Sequence, residues 1–241
     1  MKSLTVSLLL LVAISTLNCQ GSGSSSNKVD RLLQMRQKHG WPTASSGLNI
    51  YAMADCSGPS SVFQTLVISG STETRFEQKS GSRHILGVNR PDSAWMHDFA
   101  GDTTVAVDDA TICFLINHEL HAIAFYPEKR YGQWAEEKDT IYYSEGAKML
   151  TFLDIKGGRV KIFYEEESWR PLGFSIENHL GRGAKQVDVL FENWQEWEGR
   201  QVFTEARFLQ GEDVYRYKFT EISFGELSDD AFNESKPIIL P

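Results

Sequence analysis

The stretch VFQTLVISGSTETRFEQKSGSRHILGVNRPDSAWMHDF, residues 62–99, decides the fold. It divides into four extended segments, Val62–Ser69, Thr72–Lys79, Arg83–Val88 and Ser93–Phe99, separated by Gly, Pro, Asn and Asp. Ser69-Gly70-Ser71 and Lys79-Ser80-Gly81-Ser82 read as hairpin turns, since glycine supplies the backbone angles that tight turns require. Strands joined by such short turns pair with their sequence neighbours and build an antiparallel meander.

The same grammar resumes downstream. Thr140–Tyr143, Lys148–Ile155, Arg159–Glu165, Leu172–Ile176, Gln186–Asn193, Gln201–Leu209 and Val214–Ser223 are extended, with Gly157-Gly158 and Gly211-Glu212-Asp213 at turn spacing. In the last of them Tyr215, Tyr217 and Phe219 alternate with Arg216, Lys218 and Thr220, which predicts one buried face and one wet face. About eleven strands are expected, interrupted by two helices. The first covers Lys28 to Lys38, with Val29, Leu32 and Leu33 as its apolar stripe, and stops at His39-Gly40-Trp41-Pro42. A Ser/Gly-rich loop is expected from there to Ser61.

The second helix starts at Asp108-Asp109, which cap it, and runs to Phe125 before Pro127. Ile112, Cys113, Ile116, Leu120, Ile123 and Ala124 share one broad face; Phe114, His118, His121 and Phe125 fall nearly opposite. A helix apolar on both sides belongs between a sheet and something else. The expected class is mainly β (α+β): one curved antiparallel sheet or half-barrel with an N-terminal helix and one inserted helix.

Residues 1–18 read as a secretory signal: Lys2 precedes an apolar run, Leu4 to Leu17, too short to span a bilayer and of the right length for an h-region. Two processing readings remain open. Cleavage before Cys19 leaves it as an acylated N-terminus, although Thr16 and Asn18 depart from the usual lipobox. Cleavage after Ser15, at the small-x-small site Ala13-Ile14-Ser15, leaves a free protein. Residues 19–27, rich in Gly and Ser, suit a tether that stands a domain off a membrane. Residues 28–241 form the expected single β-rich domain.

The formal net charge of -8 argues against nucleic acid, which recruits basic patches. With Cys19 assigned to lipid, Cys56 and Cys113 remain in an oxidising compartment as a candidate disulfide or as two unpaired thiols.

The order of strands and helices over residues 27–224, with the export signal, resembles the periplasmic lipoprotein-carrier (Lol-type) superfamily. That resemblance implies a half-open β-barrel whose concave face is lidded by helices. It rests on no diagnostic motif and transfers no binding residue.

His118-Glu119-Leu120-His121 is the one cluster with a chemical look. Two imidazoles at i and i+3 on a helix share a face and can share a metal, with zinc the ion to consider. The zincin spacing His-Glu-x-x-His is missing by one residue, so a third ligand such as His97 or Asp98 would have to come from the preceding strand. The alternative is a polar patch hydrogen-bonded to the sheet or lining a cavity. Gly181-Arg182-Gly183 lacks the rest of a dinucleotide fingerprint, and Glu165-Glu166-Glu167 reads as a solvated hairpin end.

Aromatic side chains are abundant on the expected strands, including Trp95, Trp194, Phe203, Phe208, Tyr217 and Phe219. Collectively they suit an apolar concave surface. The functional expectation is an exported, lipid-anchored envelope protein that binds or carries a lipid or other hydrophobic ligand without catalysis or cofactor. Phe114, His118, His121, Phe125, Trp95 and Tyr217 are the candidate ligand contacts. The alternatives are a metalloprotein built on His118 and His121, and a structural module for an envelope protein partner.

Overall fold

The structure, a computed structural model, describes residues 24–44, 49–181, 185–225, 229–232 and 236–239. The signal sequence and Cys19 lie outside these residues. The first meander comprises β1 (Asn49–Ser57), β2 (Val62–Ser69), β3 (Thr74–Ser80), β4 (Arg83–Arg90), β5 (Ser93–Asp98) and β6 (Thr103–Ala106). The second comprises β7 (Glu136–Tyr142), β8 (Glu145–Leu153), β9 (Arg159–Glu165), β10 (Pro171–Glu177), β11 (Gln186–Trp197), β12 (Arg200–Gln210) and β13 (Asp213–Gly225). All pairings are antiparallel, and β1 joins β13, so both meanders form a single sheet in the order β6-β5-β4-β3-β2-β1-β13-β12-β11-β10-β9-β8-β7.

Two of the thirteen strands are not among the eleven expected: β1 falls in the expected loop before Ser61, and β6 follows the last strand expected before the second helix. β1 reads Asn-Ile-Tyr-Ala-Met-Ala-Asp-Cys-Ser, and its buried positions Ile50, Ala52, Ala54 and Cys56 alternate strictly. Three of these are small, so the alternation carries little hydrophobic contrast beside a Ser/Gly-rich segment. β6 is four residues long and exposed throughout, an edge strand with no apolar face to announce it.

This topology places the free edges, β6 and β7, at opposite ends of the sheet, and residues 107–135 must connect them across a face. They do so as α2 (Asp109–Ile116), α3 (Leu120–Phe125) and α4 (Pro127–Tyr131). The expected single helix to Phe125 is therefore broken. Asp108 does cap α2, accepting the Thr111 N–H at 2.9 Å. At its end His118 N–H and Glu119 N–H reach back only three residues, to Leu115 O and Ile116 O, tightening the chain into a turn. That turn carries Glu119 into the interior, where its carboxylate pairs with Arg130 of α4. Arg130 in turn donates to Gly70 O at 2.8 Å, tying the turn to the β2–β3 hairpin.

α1 (Ser24–Lys38) begins inside the expected tether and packs against α3. Its Leu32 and Met35 are buried, and buried Arg36 donates to Phe125 O at 2.6 Å. Gly40 closes the helix at φ +75°, and a Cβ there would sit 2.0 Å from Gly199 O. Only glycine fits that approach.

The main core lies on the helix-bearing face, where Trp41, Phe125, Phe152, Tyr164, Phe174, Phe191 and Phe203 pack together. The opposite face holds smaller clusters. Met149, Phe163 and Leu190 group with Tyr142 on one half, and Ile239 of the tail covers Leu66 and Ile68 on the other. The tail is held by a buried pair. Glu77 accepts the N–H groups of Ile238 and Ile239 at 3.0 Å, while Arg75 donates to Ala231 O at 2.9 Å.

Candidate functional site

Beneath α2 the interior is not filled. A cavity of about 360 Å³ lies between α2, the β2–β3 side of the sheet and β10–β13. Gln78 of β3 and Ile176 of β10 both line it, although six inter-strand gaps separate these strands in the sheet. Flat, that is about 29 Å at 4.8 Å per gap, so the sheet curls. The volume lies within the range of small-molecule sites, about 300–1,000 Å³.

The wall is apolar, formed by Phe63, Phe114, Ile176, Val187, Phe208 and Tyr217. Ser61, Gln78, Asn117, Gln210 and His118 add hydrogen-bonding groups. Several rings interlock. Phe208 packs on Tyr217 at 4.6 Å between centroids, and His118 lies parallel to Phe208 at 5.5 Å with an 18° tilt.

α2 is set over this space by Leu115, which is wholly buried and lies against Gly87 of β4, where a Cβ would meet its Cδ2 at 2.5 Å. With α2 leaning on β3 and β4, its other flank stands off β10–β12 and leaves the gap.

The six expected ligand contacts divide. Phe114, His118 and Tyr217 line the cavity. Phe125 is wholly buried in the core, stacked on Trp41 at 4.1 Å. His121 is buried flat against Phe203, at 4.0 Å and 1°. Trp95 sits on β5, next to the edge strand, and does not reach the cavity.

His118 and His121 are each engaged with a backbone carbonyl. His118 Nδ1–H donates to Phe114 O at 2.8 Å, and His121 Nε2–H donates to Phe203 O at 3.0 Å. Burial lowers both imidazoles to about 4, so each is neutral near pH 7. His97, offered as a third ligand, is engaged on β5 with Thr104 Oγ1 at 2.7 Å. Their i and i+3 spacing implies a shared face only on an unbroken helix, and here the turn at Asn117–Glu119 falls between α2 and α3.

The candidate Cys56–Cys113 bridge is not formed; both are buried free thiols. Cys56 Sγ lies 3.4 Å from Thr65 Oγ1 within the β1–β2 pair, whereas Cys113 lines the cavity from α2. Burial pushes both thiols up, to about 12 and about 11.

Missed in the sequence were Ile176, His179 and Val187, which border the cavity from the second meander. Ile176 and Val187 were readable only as ordinary strand residues, and His179 sits in a loop with no motif around it.

No protein-family model matches this chain, and no curated protein matches its sequence. Solved structures do match it in shape. A LolA superfamily protein from Nitrosomonas europaea superposes with a TM-score of 0.58 at 12% identity, covering 86% of this chain and 98% of that one. The fold is LolA-like. A domain from Vibrio parahaemolyticus described as an outer-membrane lipoprotein-sorting protein gives 0.55 at 10% identity, over 86% and 97% of the two chains. A DUF1329 family protein from Desulfovibrio piger gives 0.53 at 11%, over 87% and 97%. The resemblance expected from strand order is thus present in three dimensions, with thirteen strands rather than eleven.

Proposed function

We propose that this LolA-like protein is an exported envelope protein that binds a single hydrophobic chain, such as the acyl chain of a lipid, in the cavity beneath α2. The observation that carries this reading is the cavity itself: a mainly apolar space of about 360 Å³ left open beside a densely packed core. Its size suits one flexible apolar chain. The hydrogen-bonding groups around it, Ser61, Gln78, Asn117 and Gln210, suit a polar end. Neutral His118 can line such a chamber without the cost of a buried charge.

The test is lipid extraction of protein purified from native membranes, followed by titration of the delipidated chain with a fluorescent long-chain fatty acid. Saturable uptake is expected, with Ala110→Trp, which fills the chamber from α2, reducing it at least tenfold. Lack of uptake by the wild type, or equal uptake by Ala110→Trp and a second filling variant, Val187→Trp, would sink the reading.

Membrane attachment rests on Cys19 and the Gly/Ser-rich tether that follows it. Metabolic labelling with an alkyne fatty acid should tag the wild type and not Cys19→Ser. An unlabelled protein with its N-terminus at Thr16 would establish the cleavage after Ser15 instead.

A further inference from the structure

Cys113, Asp154 and His179 converge at one side of the cavity, from three separate parts of the chain. Cys113 is on α2, Asp154 follows β8, and His179 follows β10. One donor atom from each lies within 4.8 Å of the other two. His179 Nε2 and Asp154 Oδ2 are 2.6 Å apart. Cys113 is buried, the Asp154 side chain is 4% exposed and that of His179 14%.

We propose that these three side chains form a zinc site with its remaining coordination position open to the cavity. Thiolate, imidazole and carboxylate are the donors zinc takes, and three protein ligands with a free position is the open form of such sites. Tetrahedral zinc with bonds of about 2.0–2.3 Å needs donors about 3.5 Å apart, so the His179–Asp154 pair opens from 2.6 Å by about an ångström to admit the ion, and Cys113, within 4.8 Å of both, closes on it. The charges also fit. A thiolate and a carboxylate balance a dication, leaving a neutral buried assembly where an unbalanced one would be costly.

The support around the ligands is already in place. Asp154 Oδ1 accepts the N–H groups of Lys156 and Gly158, each at 2.8 Å, which fixes the carboxylate and leaves Oδ2 toward His179. Such outer hydrogen bonds orient metal ligands. Gly158 provides the room: a Cβ there would lie 2.6 Å from His179 Nε2 and 2.7 Å from Asp154 Oδ2. Binding replaces the S–H bond of Cys113 with an S–Zn bond and releases its proton to solvent. The ion supplies the positive charge that ionises a thiol held protonated by burial. The site does not depend on what the rest of the chamber holds, since its ligands are protein atoms.

The test uses the chain purified without a polyhistidine tag and loaded with Zn²⁺ or with Co²⁺ as its optical substitute. One metal per chain is expected, with a thiolate-to-cobalt charge-transfer band. Cys113→Ser should abolish the band and weaken zinc on the order of 100-fold or more, since even outer-shell changes cost about 10–100-fold. Cys56→Ala, which removes the other buried thiol, should leave both unchanged. His179→Ala and Gly158→Ala give the same loss by independent routes, should Cys113→Ser fail to fold. Absence of metal uptake by the folded wild type would overturn the proposal. So would a band that survives Cys113→Ser or disappears with Cys56→Ala.

Discussion

The two ends of the concave face are finished differently. Under α3 every residue of the helix is buried, and Phe203 is held in ring contact with His121, Phe191, Trp194 and Phe219. Under α2, rings of the same kind, Phe63, Phe208 and Tyr217, surround a void. Aromatic content therefore does not distinguish a core from a chamber. The difference lies in the helices: α3 offers a face that fits down onto the sheet, whereas α2 rests on β3 and β4 through Leu115 and spans the remainder. Polar groups such as Gln78 and Asn117 also discourage dry collapse of the chamber.

The largest effect expected from this contrast is on stability. Phe203→Ala should cost about 3–5 kcal/mol, because it removes a wholly buried ring from rigid neighbours and creates a cavity. Phe208→Ala only enlarges an existing one, so about 2 kcal/mol is expected. Paired urea denaturation curves measure both. Equal losses would mean that the chamber is as tightly packed as the core, and the contrast would fail.

Next in size is a pH effect from the buried histidines and Glu119. His121 is neutral in the folded chain, with its imidazole lowered from 6.5 to about 4 by burial. Its contribution is complete above pH 6.5 and is lost as pH falls toward 4, at about 1.4 kcal/mol per pH unit. Glu119 opposes it. Burial raises its carboxyl from 4.5 to about 7 against the pull of Arg130, so folding gains as pH falls through that window. Between pH 6.5 and 4.5 the two largely cancel in the wild type. His121→Gln retains a donor for Phe203 O but cannot titrate, so it removes that histidine's share of the loss at low pH and leaves only His118 against the Glu119 gain. Relative to wild type, the variant should gain about 2–3 kcal/mol between pH 6.5 and pH 4.5. His118→Gln should show a change of the same sign and similar size, since burial lowers that ring to about 4 as well. Parallel profiles for the wild type and His121→Gln would remove the sealed-core end of the comparison.

How far this arrangement was legible follows the same divide. Period-two alternation and Gly turns located eleven strands because each half-buried strand announces itself locally. β1 escaped with small residues at its inward positions, yet it is the strand that joins the meanders through β13. The cap at Asp108 was readable; the end of α2 was not. Glu119 looks like a solvated helix residue in sequence, and Arg130, eleven positions later, is the main partner that makes its burial sustainable. That break redirects His121 and Phe125 into the core while Phe114 and His118 stay with the chamber. His179 and Asp154 meet Cys113 only through the curl of the sheet, a nonlocal consequence with no local pattern to reveal it.

The smallest predicted effect tests what holds the chamber open. Gly87 is not at a left-handed backbone position; its constraint is contact, since a Cβ would meet Leu115 Cδ2 at 2.5 Å. Leu115 can yield by rotation, so Gly87→Ala should cost only about 1 kcal/mol, the low end for overpacking. The displacement nevertheless acts on the helix that roofs the chamber. Fatty-acid affinity should therefore change severalfold while the melting transition moves by a few degrees. A matched substitution away from α2, Gly146→Ala on β8, faces only the Glu166 side chain at 3.2 Å and should leave affinity alone. If both variants lose affinity in proportion to stability, α2 is merely one more packed helix. If Gly87→Ala alone shifts binding, its seat on β4 sets the height of the roof, and the glycine is there to let the helix stand close on one side and clear on the other.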